Sequence, residues 1–190
     1  GVLVDGRPVA AHRLDSLRGA IGYVPQETFL FSATLRDNIA LGAPDTSEEK
    51  IREAAEIAGL ADDIAGFPKG YDTMVGERGI TLSGGQKQRA AIARALALDP
   101  RVLLLDDCLS AVDAHTEEEI LRNLRDAIRG RTTILVSHRV AAVRHADEIL
   151  FLEGGRIAER GTHAQLLAKG GRYASLARIQ RLAGEIEAAR

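Results

Sequence analysis

From Gly84 to Val136 the chain alternates helix and strand patterns with little slack, and no other feature restricts its fold as much. An alanine-rich helical stretch opens at Gly84 and must stop before Pro100. Val102-Leu103-Leu104-Leu105 is a short apolar run of strand type. Ile120, Leu121, Leu124 and Ile128 recur at helical spacing as far as Gly130, and Thr132 to Val136 reads as a further strand. Strands separated by helices pair in parallel, so the pattern predicts an α/β fold with a mainly parallel sheet covered on both faces.

The flanking segments fit around that sheet. Val2-Leu3-Val4 and Arg7-Pro8-Val9 flank an Asp5-Gly6 turn and read as a hairpin. A short helix is expected from Leu14 to Leu17, and Ile21 to Val24 is a strand that Pro25 ends. Leu35 to Ile39 is expected to form one or two helical turns. Residues 47–66 have helical spacing, with Thr46 and Glu49 as a capping box and Gly59 as a stop. Gly66 to Gly79 is a glycine-rich loop. Beyond the sheet, a short helix is expected from Arg139 to Arg144 and a hairpin around Gly154-Gly155. Thr162 and Gln165 cap another helix, and a last helix starts near Tyr173. The expected organisation is a core part at 1–26, a helical lobe at 27–95 inserted into the sheet, and the rest of the core at 96–190.

Composition removes several function classes. A net charge of −2 supplies no basic field for nucleic acid or anionic lipid. The single cysteine, Cys108, allows no internal disulfide and reads as a small packing residue. No apolar run approaches the roughly 18 residues of a membrane span. The histidines show no zinc-ligand spacing, and no serine–histidine–acid arrangement stands out.

Polar residues at the ends of these elements are the candidates for chemistry. Ser83-Gly84-Gly85 places side-chain-free backbone at a helix start, where unsatisfied N–H groups and partial positive charge hold an anion. Ser83 is a natural N-cap and Gln86 adds an amide at the same mouth. Asp106 closes the apolar strand and needs a cation or a polar network to be tolerated there. Magnesium, held largely through water, suits such an acid, and Asp107 follows directly. Gln26 at the exit of the first strand offers an amide oxygen to the same metal or to a water. His138, just past the 132–136 strand, offers a neutral imidazole to a phosphate or a water, and Asp113 can cap the next helix.

Taken together these residues resemble the nucleotide-binding domain of ABC transporters. LSGGQKQR at 82–89 is similar to the family signature and VLLLDD at 102–107 to its Walker B strand. Gln26 stands at the Q-loop position, Ser110-Ala111-Val112-Asp113 at the D-loop and His138 at the switch histidine. QETFLFSATLRDNIALG at 26–42, VGERG at 75–79 and GGRIAERGTHAQLL near the end resemble the exporter branch. The resemblance implies a P-loop NTPase (RecA-like) fold with a helical subdomain, with ATP and Mg2+ as cofactors. It implies nucleotide contacts from Gln26, Ser83, Gly84, Gly85, Gln86, Asp106, Asp113 and His138, metal contacts from Gln26 and Asp106, and catalysis by Asp107 and His138. It implies as partners a second nucleotide-binding domain and the transporter's transmembrane domains, at the cytoplasmic face of the cell membrane.

Two departures from the family pattern shape the expectation. No G-x-x-x-x-G-K-[ST] loop occurs in the 190 residues. In the family that loop precedes the Q-loop, so the chain is expected to be the domain without its front part, to bind ATP weakly alone and to expose apolar sheet surface. The second departure is Asp107, where active family members carry glutamate. Aspartate is one methylene shorter, which withdraws the carboxylate by roughly 1.5 Å. Family members with this change are typically the slow-site half of a heterodimer, so the expected partner is a non-identical half-transporter. The competing expectation is a non-catalytic remnant that only completes a nucleotide sandwich. An ATPase acting on DNA or ribosomes is disfavoured by the charge balance.

Overall fold

In the computed structural model, which describes residues 1–76 and 79–188, the chain divides into two compact units, Gly1–Val136 and Ser137–Arg190. The first unit opens with a hairpin of β1 (Leu3–Val4) and β2 (Arg7–Pro8), turned by Asp5 and Gly6, both at positive φ. Helix α1 (Leu14–Gly19) leads into β3 (Ile21–Val24).

The sheet is parallel, in the order β3, β4 (Val102–Asp106), β5 (Thr132–Val136), with Val24 opposite Leu105 and Asp106 opposite Val136. Gly22, Val24, Leu103 and Leu105 point into the core. On the opposite face Tyr23, Ile134 and Val136 are 56%, 56% and 52% exposed. Among the described residues the sheet is therefore covered on one face, not the two expected from strand–helix alternation. The strand order gives the reason. Both connections advance in the same direction, and right-handed crossovers then place their helices on the same side.

Helix α5 (Gly84–Ala97) lies at the centre of the core, flanked by α2 (Leu35–Ala40) and α3 (Glu48–Ile57). Its alanines let backbones approach closely. A Cβ on Gly22 of β3 would stand 2.8 Å from Pro100 Cγ and 3.0 Å from the Ala95 carbonyl oxygen. Gly22→Ala should therefore destabilise the unit by about 1–3 kcal/mol through overpacking, read as a lower urea midpoint with an unchanged slope.

Local details amend the sequence reading at two places. The cap of α3 is Ser47, whose Oγ accepts from Lys50 N, rather than Thr46. Thr46 is already used as the last residue of a turn, its N–H donating to Ala43 O at 2.9 Å. The 66–79 stretch is more than loop: after α4 (Ala61–Gly66) it makes a 3-10 turn at Gly70–Asp72 and bridges Thr34↔Met74 and Val75↔Ile80. Glu77 and Arg78, the centre of the exporter-like VGERG, lie outside the described residues. Helix α6 (Ala114–Ala127) completes the unit and buries Ile120 and Leu124.

The second unit holds α7 (Val140–Val143), an antiparallel hairpin of β6 (Ile149–Glu153) and β7 (Arg156–Gly161), α8 (His163–Lys169) and α9 (Arg172–Ala188). Thr162 and Gln165 form the expected capping box on α8. Val140, Ile149, Leu166 and Tyr173 make its core, and the buried Tyr173 hydroxyl meets His163 Nδ1 at 2.7 Å. No described helix is both long and apolar enough to cross a membrane.

Candidate functional site

Parallel register brings the exits of β3, β4 and β5 to the same sheet edge, where ligands of such sheets gather. Gln26 is exposed two residues past β3, behind Pro25. Asp106 is the half-buried last residue of β4. Asp107 follows in the left-handed region at φ 43°, with its N–H donating to Val136 O at 2.9 Å. Aspartate is among the few residues that tolerate this conformation, so β4 leaves the sheet abruptly and its second acid turns away from the strand direction.

Cys108 is buried behind the two acids. Burial pushes its thiol up to about 12, and the nearby charges of Asp107, Asp106 and Glu117 push the same way. With a pKa of about 12, roughly one thiol in ten thousand is ionised near pH 8, and the thiolate is the reactive form. The native chain should resist iodoacetamide under conditions that fully alkylate the urea-unfolded chain.

The second cluster sits at the start of α5. Ser83 Oγ accepts from Gln86 N at 3.2 Å, and Gln86 Oε1 accepts from Ser83 N at 2.9 Å. The hydroxyl proton of Ser83 is still available to an acceptor. Gln86 Nε2 donates to Asp63 Oδ1 at 2.7 Å, and Asp63 Oδ2 pairs with Arg89 at 2.7 Å. Gln86 therefore uses both ends of its amide within the chain and braces the helix mouth. Gly84 and Gly85 occupy the first two helical positions, whose N–H groups have no preceding carbonyl to reach within the helix.

The turn from Ser110 to Asp113 packs against this mouth. A Cβ on Gly84 would lie 3.3 Å from Ala111 Cβ, and one on Gly85 3.0 Å from the Ala111 carbonyl oxygen. Both positions are thus closed to larger side chains for reasons of contact as well as of access. Asp113 is exposed and caps α6, its Oδ1 accepting from Thr116 N at 3.0 Å. Hydrogen bonds from Thr116, led by its backbone N–H, hold the Asp113 carboxyl below the usual range.

Four residues had no role assigned from the sequence. Gln88 is buried and bonds to the 110–111 turn. The available signal was its place four residues after Gly84, on the stripe that Ile92 and Leu96 bury. Arg94 donates to Asn38 O, Asn38 Oδ1 and Phe29 O, and buried Asn38 in turn binds Phe31 and Thr34. These two side chains fix the loop after Gln26, which displays Phe29 and Phe31 as an exposed edge-to-face pair 5.0 Å apart. No sequence signal marked that network. Gln180 belongs to the second unit, where its Nε2 donates to His138 O at 2.8 Å and its Oε1 accepts from Val140 N at 2.8 Å. His138 is exposed there, two residues beyond the end of β5.

Among the described residues no group of three or more His, Cys, Asp or Glu side chains is placed to hold a metal. Two oxygen donors at neighbouring strand exits, Asp106 and Gln26, fit magnesium, which keeps several waters and takes few protein ligands.

The parallel α/β sheet, with carboxylates at the C-terminal end of its middle strand, is of the P-loop NTPase type. The ABC transporter family matches residues 1–110, and this chain belongs to that family. It is 51% identical over 179 residues to the uncharacterized ABC transporter ATP-binding protein YknU of Bacillus subtilis, covering 94% of this chain and 31% of that protein. It is 47% identical over 180 residues to the multidrug resistance-like ATP-binding protein MdlA of Escherichia coli, covering 95% and 30%. Among solved structures, a bacterial Atm1-family ABC exporter with ATP bound superposes with a TM-score of 0.88 at 47% identity, over 94% of this chain and 31% of that one. The chain thus spans about a third of the length of these relatives.

Proposed function

We propose that this chain is the ATP-binding module of an ABC exporter and that it works with a second nucleotide-binding domain and with transmembrane domains, at the cytoplasmic face of the membrane. The observation that carries this reading is 47% identity across 94% of the chain to an exporter solved with ATP bound. The capped, side-chain-free start of α5 agrees with it.

In this reading Gly84 N, Gly85 N and the Ser83 hydroxyl donate to the terminal phosphate of a nucleotide gripped mainly by the partner domain. Gln86 braces that mouth through Asp63, and Asp113 lies on the same contact face. Asp106 and Gln26 would hold Mg2+ at this chain's own site, and Mg2+–ATP supplies the phosphoanhydride whose cleavage drives the cycle. Asp107 orients the attacking water there through its carboxylate, and His138 hydrogen-bonds the phosphate. Residues 27–95 form the signature subdomain, set between core parts at 1–26 and 96–190.

Asp107 also carries the finer part of the proposal. A carboxylate withdrawn by about one C–C bond misplaces the water by ~1 Å, and such an error costs on the order of a hundredfold in rate. The chain then serves as the slow-site half of a heterodimer and supplies its signature to a faster site. A second reading, a module that completes a nucleotide sandwich and hydrolyses nothing itself, draws on the same residue.

The test is ATP turnover in the assembled transporter, with each composite site inactivated in turn. Turnover that needs the partner's phosphate-binding loop together with this chain's Ser83 and Gly84 supports the proposal. Slow residual turnover that needs Asp107 favours the slow-site reading over the non-catalytic one. Two equally fast sites would refute both.

A further inference from the structure

Gln88 is an amide in a stripe of α5 that otherwise buries alanine, isoleucine and leucine, and it is 5% exposed. A buried amide is tolerated when both of its ends are satisfied. Both ends go to one turn: Nε2 donates to Ser110 Oγ at 3.1 Å, and Oε1 accepts from Ala111 N at 2.9 Å. The turn is also seated from below, with Leu109 and Val112 buried, and from the side, where Ala111 fills the space beside Gly84 and Gly85. Neither glycine leaves slack for the turn to slide along the helix start.

We infer that Gln88 is a positioning residue that locks the Ser110–Asp113 turn to the N-terminus of α5, so that both are presented to the shared nucleotide as one rigid piece. The clamp rests on the geometry above, and its consequence for turnover rests on the proposed function. A residue here needs a donor and an acceptor at once, which glutamine has and methionine, of similar length, lacks. Without the clamp the Ala111 N–H loses its partner and the turn can shift while the cap at Ser83 remains. Nucleotide capture should then survive and the closed, reactive arrangement should suffer.

The experiment compares Gln88→Met, Ser110→Ala and Gly84→Asp in the assembled transporter, with ATP as the probe. Gln88→Met should lower kcat about tenfold, the worth of roughly one or two lost hydrogen bonds, and leave KM for ATP within about twofold. Exchange of the Ala111 amide hydrogen should accelerate by a similar factor while that of Ile92 stays unchanged. Ser110→Ala, which removes one bond of the two, should give a smaller kcat loss in the same direction, and it decides the matter if Gln88→Met fails to fold. Unchanged Ala111 exchange would overturn the clamp, and faster exchange with unchanged kcat would overturn its positioning role. If Gly84→Asp also leaves turnover intact, the nucleotide reading itself is at fault.

Discussion

Gly84→Asp should lower ATP turnover of the assembled transporter by at least about a hundredfold, in the range seen when one preorganised donor to a developing anion is lost. Two effects act together. The new carboxylate stands at the positive end of α5, where it competes with a phosphate for Gly85 N–H and the Ser83 hydroxyl and repels the phosphate's charge. Its Cβ also enters the space beside Ala111, 3.3 Å from that side chain, and presses on the turn that Gln88 holds. Gly84→Ala separates the two effects. It keeps the contact and removes the charge, so its loss should be much smaller. Steady-state turnover, with a thermal melt of each variant to confirm folding, checks both. Equal losses for alanine and aspartate would show that contact matters and the anion does not.

Asp107→Glu should raise hydrolysis at this chain's own site by about ten- to a hundredfold, because the longer side chain restores the reach of roughly 1.5 Å that aspartate lacks. The backbone sets a cost. Residue 107 sits at φ 43°, which a glutamate tolerates less well than an aspartate, so the variant should lose up to about 1–2 kcal/mol of stability. Faster single-turnover hydrolysis with a lower melting temperature is therefore the expected pair of results. Asp107→Asn should remove the residual rate, since a neutral amide neither attracts the water's protons as strongly nor takes one up. A glutamate that leaves the rate where it was would mean that Asp107 does not orient the water.

The parts of the fold that depend on local physics were legible in the sequence. Apolar runs bounded by turns placed β4 and β5, and serine or threonine three residues before glutamine marked the caps of α5 and α8. The helix stop before Pro100 and the packing role of Cys108 follow from the same short-range rules. What escaped depends on partners distant in the chain. Gln86 reads as a free amide until Asp63, 23 positions earlier, takes its N–H. Gln88 stands on the buried stripe of α5, but its partner is hidden until the turn 22 positions later closes on it. Arg94 and Asn38 are 56 positions apart, and neither carries a local pattern that names the other. Strand–helix alternation alone predicts cover on both faces, but strand order decides on which face the helices fall, and the exposed Tyr23, Ile134 and Val136 match the expected exposure of apolar sheet surface.

In the proposed function the start of α5 holds the terminal phosphate of a nucleotide that another domain grips. The most direct measurement is the structure of the assembled transporter with ATP trapped between its nucleotide-binding domains. Gly84 N, Gly85 N and Ser83 Oγ of this chain should lie within hydrogen-bond distance, about 3 Å, of the γ-phosphate oxygens of the partner-bound ATP. A closed, ATP-loaded dimer in which that phosphate is contacted by the partner alone, with the start of α5 facing water, would contradict it.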